Sequence, residues 1–181
     1  GSGSGVHSFI LHSMGPASLH SFDYDPHSVA ATTSVWKKAG SPKNWTVEHG
    51  SALDKKYCES LGLFDLVYSW GVLHHTGSMW EAIQNASERV KSGGLFFISI
   101  YQGVDTYEYD LSLKKRYNRG NALIKRWMEF NIYILPAMKE RYKKGKNPFG
   151  WNEKRIRGMN MYHDIKDWLG GLPYEVASDK Q

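Results

Sequence analysis

Over residues 1–104, short apolar runs alternate with longer amphipathic stretches, the pattern that βαβ units of a parallel sheet produce. Residues 18–23, 45–49, 64–70 and 95–101 read as strands. The last, Leu-Phe-Phe-Ile-Ser-Ile-Tyr, is apolar on both faces, which predicts a central strand covered by helices on either side. Residues 26–39 read as a helix with Asp25 at the N-cap, Pro26 at the first helical position, and Gly40 and Pro42 as stop signals. A second helix is predicted from Ser78, where Ser-Met-Trp-Glu has the form of a capping box closed by Glu81. Met79, Ile83, Ala86 and Val90 then share one face, and Gly93-Gly94 would end it. The fold class expected is α/β, a mostly parallel sheet flanked by helices.

After Gly103 the character changes. Residues 111–157 hold fourteen Lys and Arg but only three acids, Glu129, Glu140 and Glu153, a local charge of +11. The organisation expected is a core over 1–104, a helical basic insertion or lid over 105–170 following the fifth core strand, and the start of a return to the core over 171–181. A parallel sheet of this kind begins with a strand, so the reading also expects one before Gly1 and further strands beyond Gln181.

Composition narrows the picture only modestly. With 181 residues, 41% of them hydrophobic, the chain can bury a core of ordinary size, which excludes wholesale disorder. A formal charge of +5 hints at anionic partners, and its concentration in one segment says more than the sum. The single cysteine, Cys58, allows no internal disulfide and favours a reducing compartment; with no apolar run long enough to span a bilayer, a cytoplasmic location is expected.

The opening Gly-Ser-Gly-Ser-Gly has two readings, a flexible linker or a ligand-binding turn between strand and helix. Its sequel favours the turn. An amphipathic segment, 6–14, follows at once, and Asp23 ends the next predicted strand about 20 residues after the first glycine, the spacing at which a carboxylate takes a ribose hydroxyl. Glycines let a ligand approach the backbone and permit positive φ, and the helix start behind them presents N–H groups to an anion. The spacing is G-x-G-x-G through Gly1, Gly3 and Gly5. Val6 stands where a nicotinamide-dinucleotide fingerprint would place its third glycine.

Five segments in order carry a resemblance: Gly-Ser-Gly-Ser-Gly; Phe22-Asp23-Tyr24-Asp25-Pro26; Glu48-His49-Gly50-Ser51-Ala52-Leu53; the run from Phe64 through Trp70-Gly71-Val72-Leu73 to His74-His75; and Val90-Lys91-Ser92-Gly93-Gly94-Leu95. Over 1–104 the chain resembles the class I S-adenosyl-L-methionine-dependent methyltransferases. The resemblance implies a Rossmann-like core. It also implies that Gly1, Gly3 and Gly5 lie against the methionine part of the cofactor, that Asp23 binds the ribose hydroxyls, that Ser51 and Ala52 border the adenine, and that Trp70 sits at the cofactor after the fourth strand; Tyr24 either flanks the adenine as a cofactor-binding residue or covers the sheet edge. Ser51 stands where the family usually has Asp.

His74 and His75 are the candidates for catalytic proton transfer, since imidazole titrates near neutrality; a purely structural pair is the competing reading. The eight histidines show no metal-ligand spacing, so no metal is expected. The basic segment interleaves Lys114, Lys115, Arg116, Arg119, Lys125 and Arg126 with Tyr117, Trp127, Phe130 and Tyr133. That mixture suits nucleic acid, a bilayer surface, or a solvated helical lid with snorkelling lysines. Leu123, Ile124, Trp127, Met128, Ile132 and Leu135 form a broad apolar face before Pro136. The tail from Gly158 through His163-Asp164 to Ala177 resembles a segment of bacterial methyltransferases with a basic insertion, from which His163 and Asp164 could reach the acceptor; a local structural His-Asp pair is the competing reading.

The function expected is therefore methyl transfer from S-adenosyl-L-methionine to a small molecule that is anionic, membrane-associated or lipid-linked, with peripheral membrane contact. An RNA methyltransferase, and a non-enzymatic nucleic-acid or membrane-surface module, are the alternatives. Oligomeric state is not legible.

Overall fold

The structure is a computed structural model that describes residues 1–103, 105–152 and 160–178. Glu153, Lys154, Arg155 and Arg157 of the basic segment, and the Gly158-Met159 start of the tail motif, lie outside the described residues. The chain divides into two compact units, one of Gly1–Gln102 with Glu175–Ala177, the other built around Gly103–Tyr174.

In the first unit the order is α1 (Val6–Ser13), β1 (Leu19–Asp23), α2 (Pro26–Lys38), β2 (Trp45–His49), α3 (Lys55–Ser60), β3 (Phe64–Trp70), a 3-10 turn at Leu73–His75, α4 (Met79–Ser87) and β4 (Val90–Ser99). This is an α/β, Rossmann-like arrangement of parallel strands flanked by helices. β1 pairs in parallel with β2, with Leu19 opposite Trp45 and Asp23 opposite His49; β3 pairs in parallel with β4. Among the described residues the two pairs form separate two-stranded sheets, with a cleft of about 680 Å³ whose lining includes Leu19, Ser21, Phe64, Leu66 and Tyr68.

Local chemistry explains most boundaries. Asp25 caps α2 by accepting the backbone N–H groups of His27 and Ser28, both at 3.1 Å, and Pro26 follows where its missing N–H costs nothing. These hydrogen bonds, that from His27 first, hold the Asp25 carboxyl below its usual range. Trp45 is buried, and its indole N–H donates to Ser21 Oγ at 3.0 Å, which donates on to Ser8 Oγ at 3.0 Å, tying β2, β1 and α1 with no stranded polar atom along that chain.

Three expectations need correction here. Ser78 makes no side-chain cap, so the capping box with Glu81 does not form; instead the Glu175 carboxylate accepts the Met79 N–H, at 3.1 and 3.3 Å to its two oxygens. α4 stops at Ser87, so Val90 belongs to β4, and Gly93-Gly94 do not end the helix. They sit inside β4 where the register jumps, Phe64 facing Val90 but Leu66 facing Leu95, with Gly93 at φ +77°. Finally, β4 is not covered on both faces: Phe96 and Ile98 are half-buried while Leu95, Phe97 and the neighbouring Leu66 of β3 are exposed. Strand alternation sends successive residues to opposite faces, and among the described residues only one of those faces is covered.

The second unit contains α5 (Tyr107–Arg119), α6 (Ala122–Met128), a π-helical segment (Glu129–Ile134), α7 (Leu135–Lys143), a 3-10 turn (Pro148–Asn152) and α8 (Met161–Gly170). Leu113, Tyr117, Met128, Ile165 and Leu169 form its core, with Ile132, Tyr133 and Trp168 against them. Two polar side chains are buried among them. Lys114 donates its ammonium to the Trp168 carbonyl and places it 4.2 Å from the Trp168 ring centroid and 4.8 Å from that of Tyr174. Tyr117 donates its hydroxyl to Glu129 Oε1 at 2.6 Å. The broad apolar face read from Leu123 to Leu135 is divided: Met128 is fully buried, whereas Leu123, Ile124 and Trp127 are exposed.

Candidate functional site

The carboxyl ends of β1, β2 and β3 carry the residues singled out by sequence, as open α/β sheets generally place their sites. The glycine turn bends over β1. Gly3 and Gly5 both have positive φ, +52° and +79°, and Gly5 N–H donates to Ser2 C=O at 2.9 Å to close the turn. Gly3 opens onto free space, whereas a methyl on Gly5 would lie 2.8 Å from Thr32 Cα and one on Gly1 would lie 2.6 Å from a Val72 methyl. Gly5 is thus required for the approach of α2, Gly1 for the approach of the loop after β3, and Gly3 leaves its backbone accessible.

Asp23 is the hub. It accepts the Gly3 N–H through Oδ2 at 2.9 Å and the Asp25 N–H through Oδ1 at 3.0 Å, while its own carbonyl accepts the Gly50 N–H at 3.0 Å. Each carboxylate oxygen has a second lone pair, so acceptor capacity remains after both backbone bonds are made. The turn, the carboxylate and the end of β2 therefore meet at one place, and Val72 adds the loop after β3.

Around this hub, Tyr24 is 74% exposed with its ring 5.9 Å from that of His49. Ser51 and Ala52 lie in the turn after β2. Ser51 Oγ accepts the Leu53 N–H at 3.2 Å, and the Ala52 carbonyl accepts the side-chain amide of Asn85 at 2.9 Å. Trp70, at the end of β3, is 44% exposed and stacks on Phe97 with ring centroids 5.8 Å apart, so it is a surface platform rather than core. α1 begins at Gly5 without a side-chain cap, leaving its first-turn N–H groups uncapped by any side chain.

The two histidines differ. His74 is 1% exposed, packed between His75 and Tyr101 with ring centroids 4.2 and 4.0 Å away, and its carbonyl accepts the Glu175 N–H; His75 is half-buried. His163 and Asp164 lie in the first turn of α8 in the second unit, where Asn160 caps the His163 N–H at 2.9 Å. Among the described residues no cluster of His, Cys, Asp or Glu converges as metal donors, and no helix is long and apolar enough to cross a membrane.

Sequence reasoning missed Thr32, Val72 and Glu175. Thr32 is fully buried in α2, where its hydroxyl oxygen lies 2.9 Å from Ser2 Oγ and 3.2 Å from the Gly3 carbonyl oxygen, fastening the turn from behind. Its one signal was polarity on a helix face otherwise set against the sheet. Val72 carries no chemical signal at all, and Glu175 acts across 96 residues.

A parallel α/β core whose strand ends gather a glycine turn, a carboxylate and exposed aromatics defines a Rossmann-like class of fold. The family model described as a methyltransferase domain matches residues 1–150, and the chain belongs to that family. No curated protein matches the sequence. Among solved structures, precorrin-8W decarboxylase of Methanobacterium thermoautotrophicum is similar at a TM-score of 0.40 and 18% identity, over 53% of this chain and 48% of that one. The match thus spans about half the length of that structure.

Proposed function

We propose that the protein binds S-adenosyl-L-methionine at the hub around Asp23 and transfers its methyl group to a small anionic or membrane-associated acceptor. The observation that carries this reading is the hydrogen bond from Gly3 N–H to Asp23, which puts an open glycine turn and a strand-end carboxylate with spare lone pairs at one place in a methyltransferase-family chain. The glycine turn would receive the amino-acid part, Asp23 the ribose hydroxyls, Tyr24 with Ser51 and Ala52 the adenine, and Trp70 the region near the reacting sulfonium. When bound, the cofactor supplies an already activated methyl group, so the protein's share is alignment and exclusion of water.

Of the two histidines, His75 retains surface from which to take a proton from the acceptor. His74, enclosed by His75 and Tyr101, serves as a positioning residue. The basic insertion supports an anionic acceptor by long-range attraction. A cytoplasmic location belongs to the same reading, supported by a buried free thiol at Cys58.

The test is calorimetry with S-adenosyl-L-methionine on the full-length protein. Saturable binding is expected, weakened roughly tenfold or more by Asp23→Ala, the scale of a lost hydrogen bond to a charged group. Absence of binding, or an affinity indifferent to Asp23→Ala in a folded variant, overturns the reading.

A further inference from the structure

We propose that the second unit docks on an anionic lipid bilayer through the exposed face of α6 and the π-helical segment after it. Leu123, Trp127 and Phe130, spaced four and three residues apart, share one helix face and are 78%, 55% and 45% exposed, with Ile124 at the shoulder. The opposite side of the same helix already faces the core: Met128 and Glu129 are 0% and 3% exposed. The helix therefore buries one face and presents a second apolar stripe outward, where a solvated helix would carry polar residues.

The rim of that stripe is cationic. The Arg116 guanidinium stands 5.8 Å from the Trp127 ring centroid, and Arg119 and Arg126, both ahead of Trp127 in the chain, are exposed. Two acids in this run are already engaged, Glu129 buried against the Tyr117 hydroxyl and Glu140 paired with Lys144 at 2.6 Å. Apolar side chains ringed by cations match the acyl-headgroup boundary of a membrane containing acidic lipids. RNA would satisfy the cations and could stack on Trp127 and Phe130, but it offers nothing to Leu123, the most exposed of the four. A second copy would bring two cationic rims together. The docking surface gives the membrane-associated acceptor of the functional reading its location; it rests on that reading for its purpose, and its test does not.

The intact chain is sedimented with sucrose-loaded vesicles, without cofactor, using phosphatidylcholine alone or with about one-third phosphatidylglycerol. Binding to the acidic vesicles and little to the neutral ones is expected. Leu123→Glu and Trp127→Glu should each lower it roughly tenfold or more, Trp127→Phe should retain most of it, and Lys37→Glu on α2 should leave it intact. Because Leu123 faces outward, its variant folds, and circular dichroism confirms that. Equal binding by Leu123→Glu overturns the proposal. So does capture by single-stranded RNA with no vesicle binding, or a dimer in sedimentation velocity that Leu123→Glu dissolves. Loss of S-adenosyl-L-methionine binding with vesicle binding retained would sink the functional reading and leave the docking surface standing.

Discussion

Gly3 and Asp23, 20 residues apart, are joined by a 2.9 Å hydrogen bond from the glycine N–H to the carboxylate, and the turn behind that bond is held by Thr32. The two glycines of positive φ in this turn therefore have different tolerances. Gly5→Ala meets Thr32 Cα at 2.8 Å and should cost about 2 kcal/mol or more, whereas Gly3→Ala meets nothing and should cost about 1 kcal/mol from φ alone. Urea unfolding of the two variants side by side checks the order, and a smaller loss for Gly5→Ala would contradict the packing described.

Tyr117 and Glu129 form a buried pair in the second unit. Burial first, and the carboxylate beside it second, push the Tyr117 hydroxyl well above its ordinary pKa, so the proton stays on the tyrosine and is donated. Tyr117→Phe strands a buried carboxylate and should destabilise by about 1 to 3 kcal/mol. Glu129→Gln keeps an acceptor and should cost less. Thermal unfolding of both variants decides it.

Lys114 provides a pH dependence. Burial pulls its ammonium down to about 8, with Asp110 and Asp167 opposing the shift. Below that pH the native state keeps a charge that burial disfavours. Between about 8 and the unfolded value of about 10.4, the unfolded chain binds more protons than the native one, so this residue's contribution to stability rises with pH and levels off above that range. Chemical denaturation at about pH 7 and about pH 9.5 should show the rise. Lys114→Met, which cannot titrate, should flatten it.

Glu175 caps α4 from 96 residues away. Glu175→Ala removes an anionic acceptor from the helix N-terminus and should cost about 1 kcal/mol. Faster amide hydrogen exchange confined to the first turn of α4 would be its signature; unchanged protection there would show that the cap contributes nothing.

Signals that act over a few residues were legible in the sequence. The bounds of β1, β2, β3 and α2 follow from short apolar runs set between amphipathic stretches and from the Asp25-Pro26 cap, and the glycine turn with Asp23 was legible because its residue types are chemically unusual at that spacing. The end of α4 was misread because Gly93-Gly94 serve a helix stop and a strand irregularity equally well, and only the pairing of β3 with β4 distinguishes them. Ser78 and Glu81 match a capping box by letter, yet a carboxylate from the distant Glu175 took the N–H instead.

By itself, then, the sequence determined the α/β class, the methyltransferase resemblance, the turn-and-carboxylate pair and the basic composition of residues 111–157, because local periodicity and residue chemistry set these before any long-range contact forms. Only the tertiary structure decided that Thr32 and Val72 brace the turn, that His74 is enclosed while Trp70 is open, and that Leu123 and Trp127 face outward from a helix whose Met128 faces in. Burial belongs to the packing of distant segments, and an apolar residue reads the same in sequence whichever way it finally points.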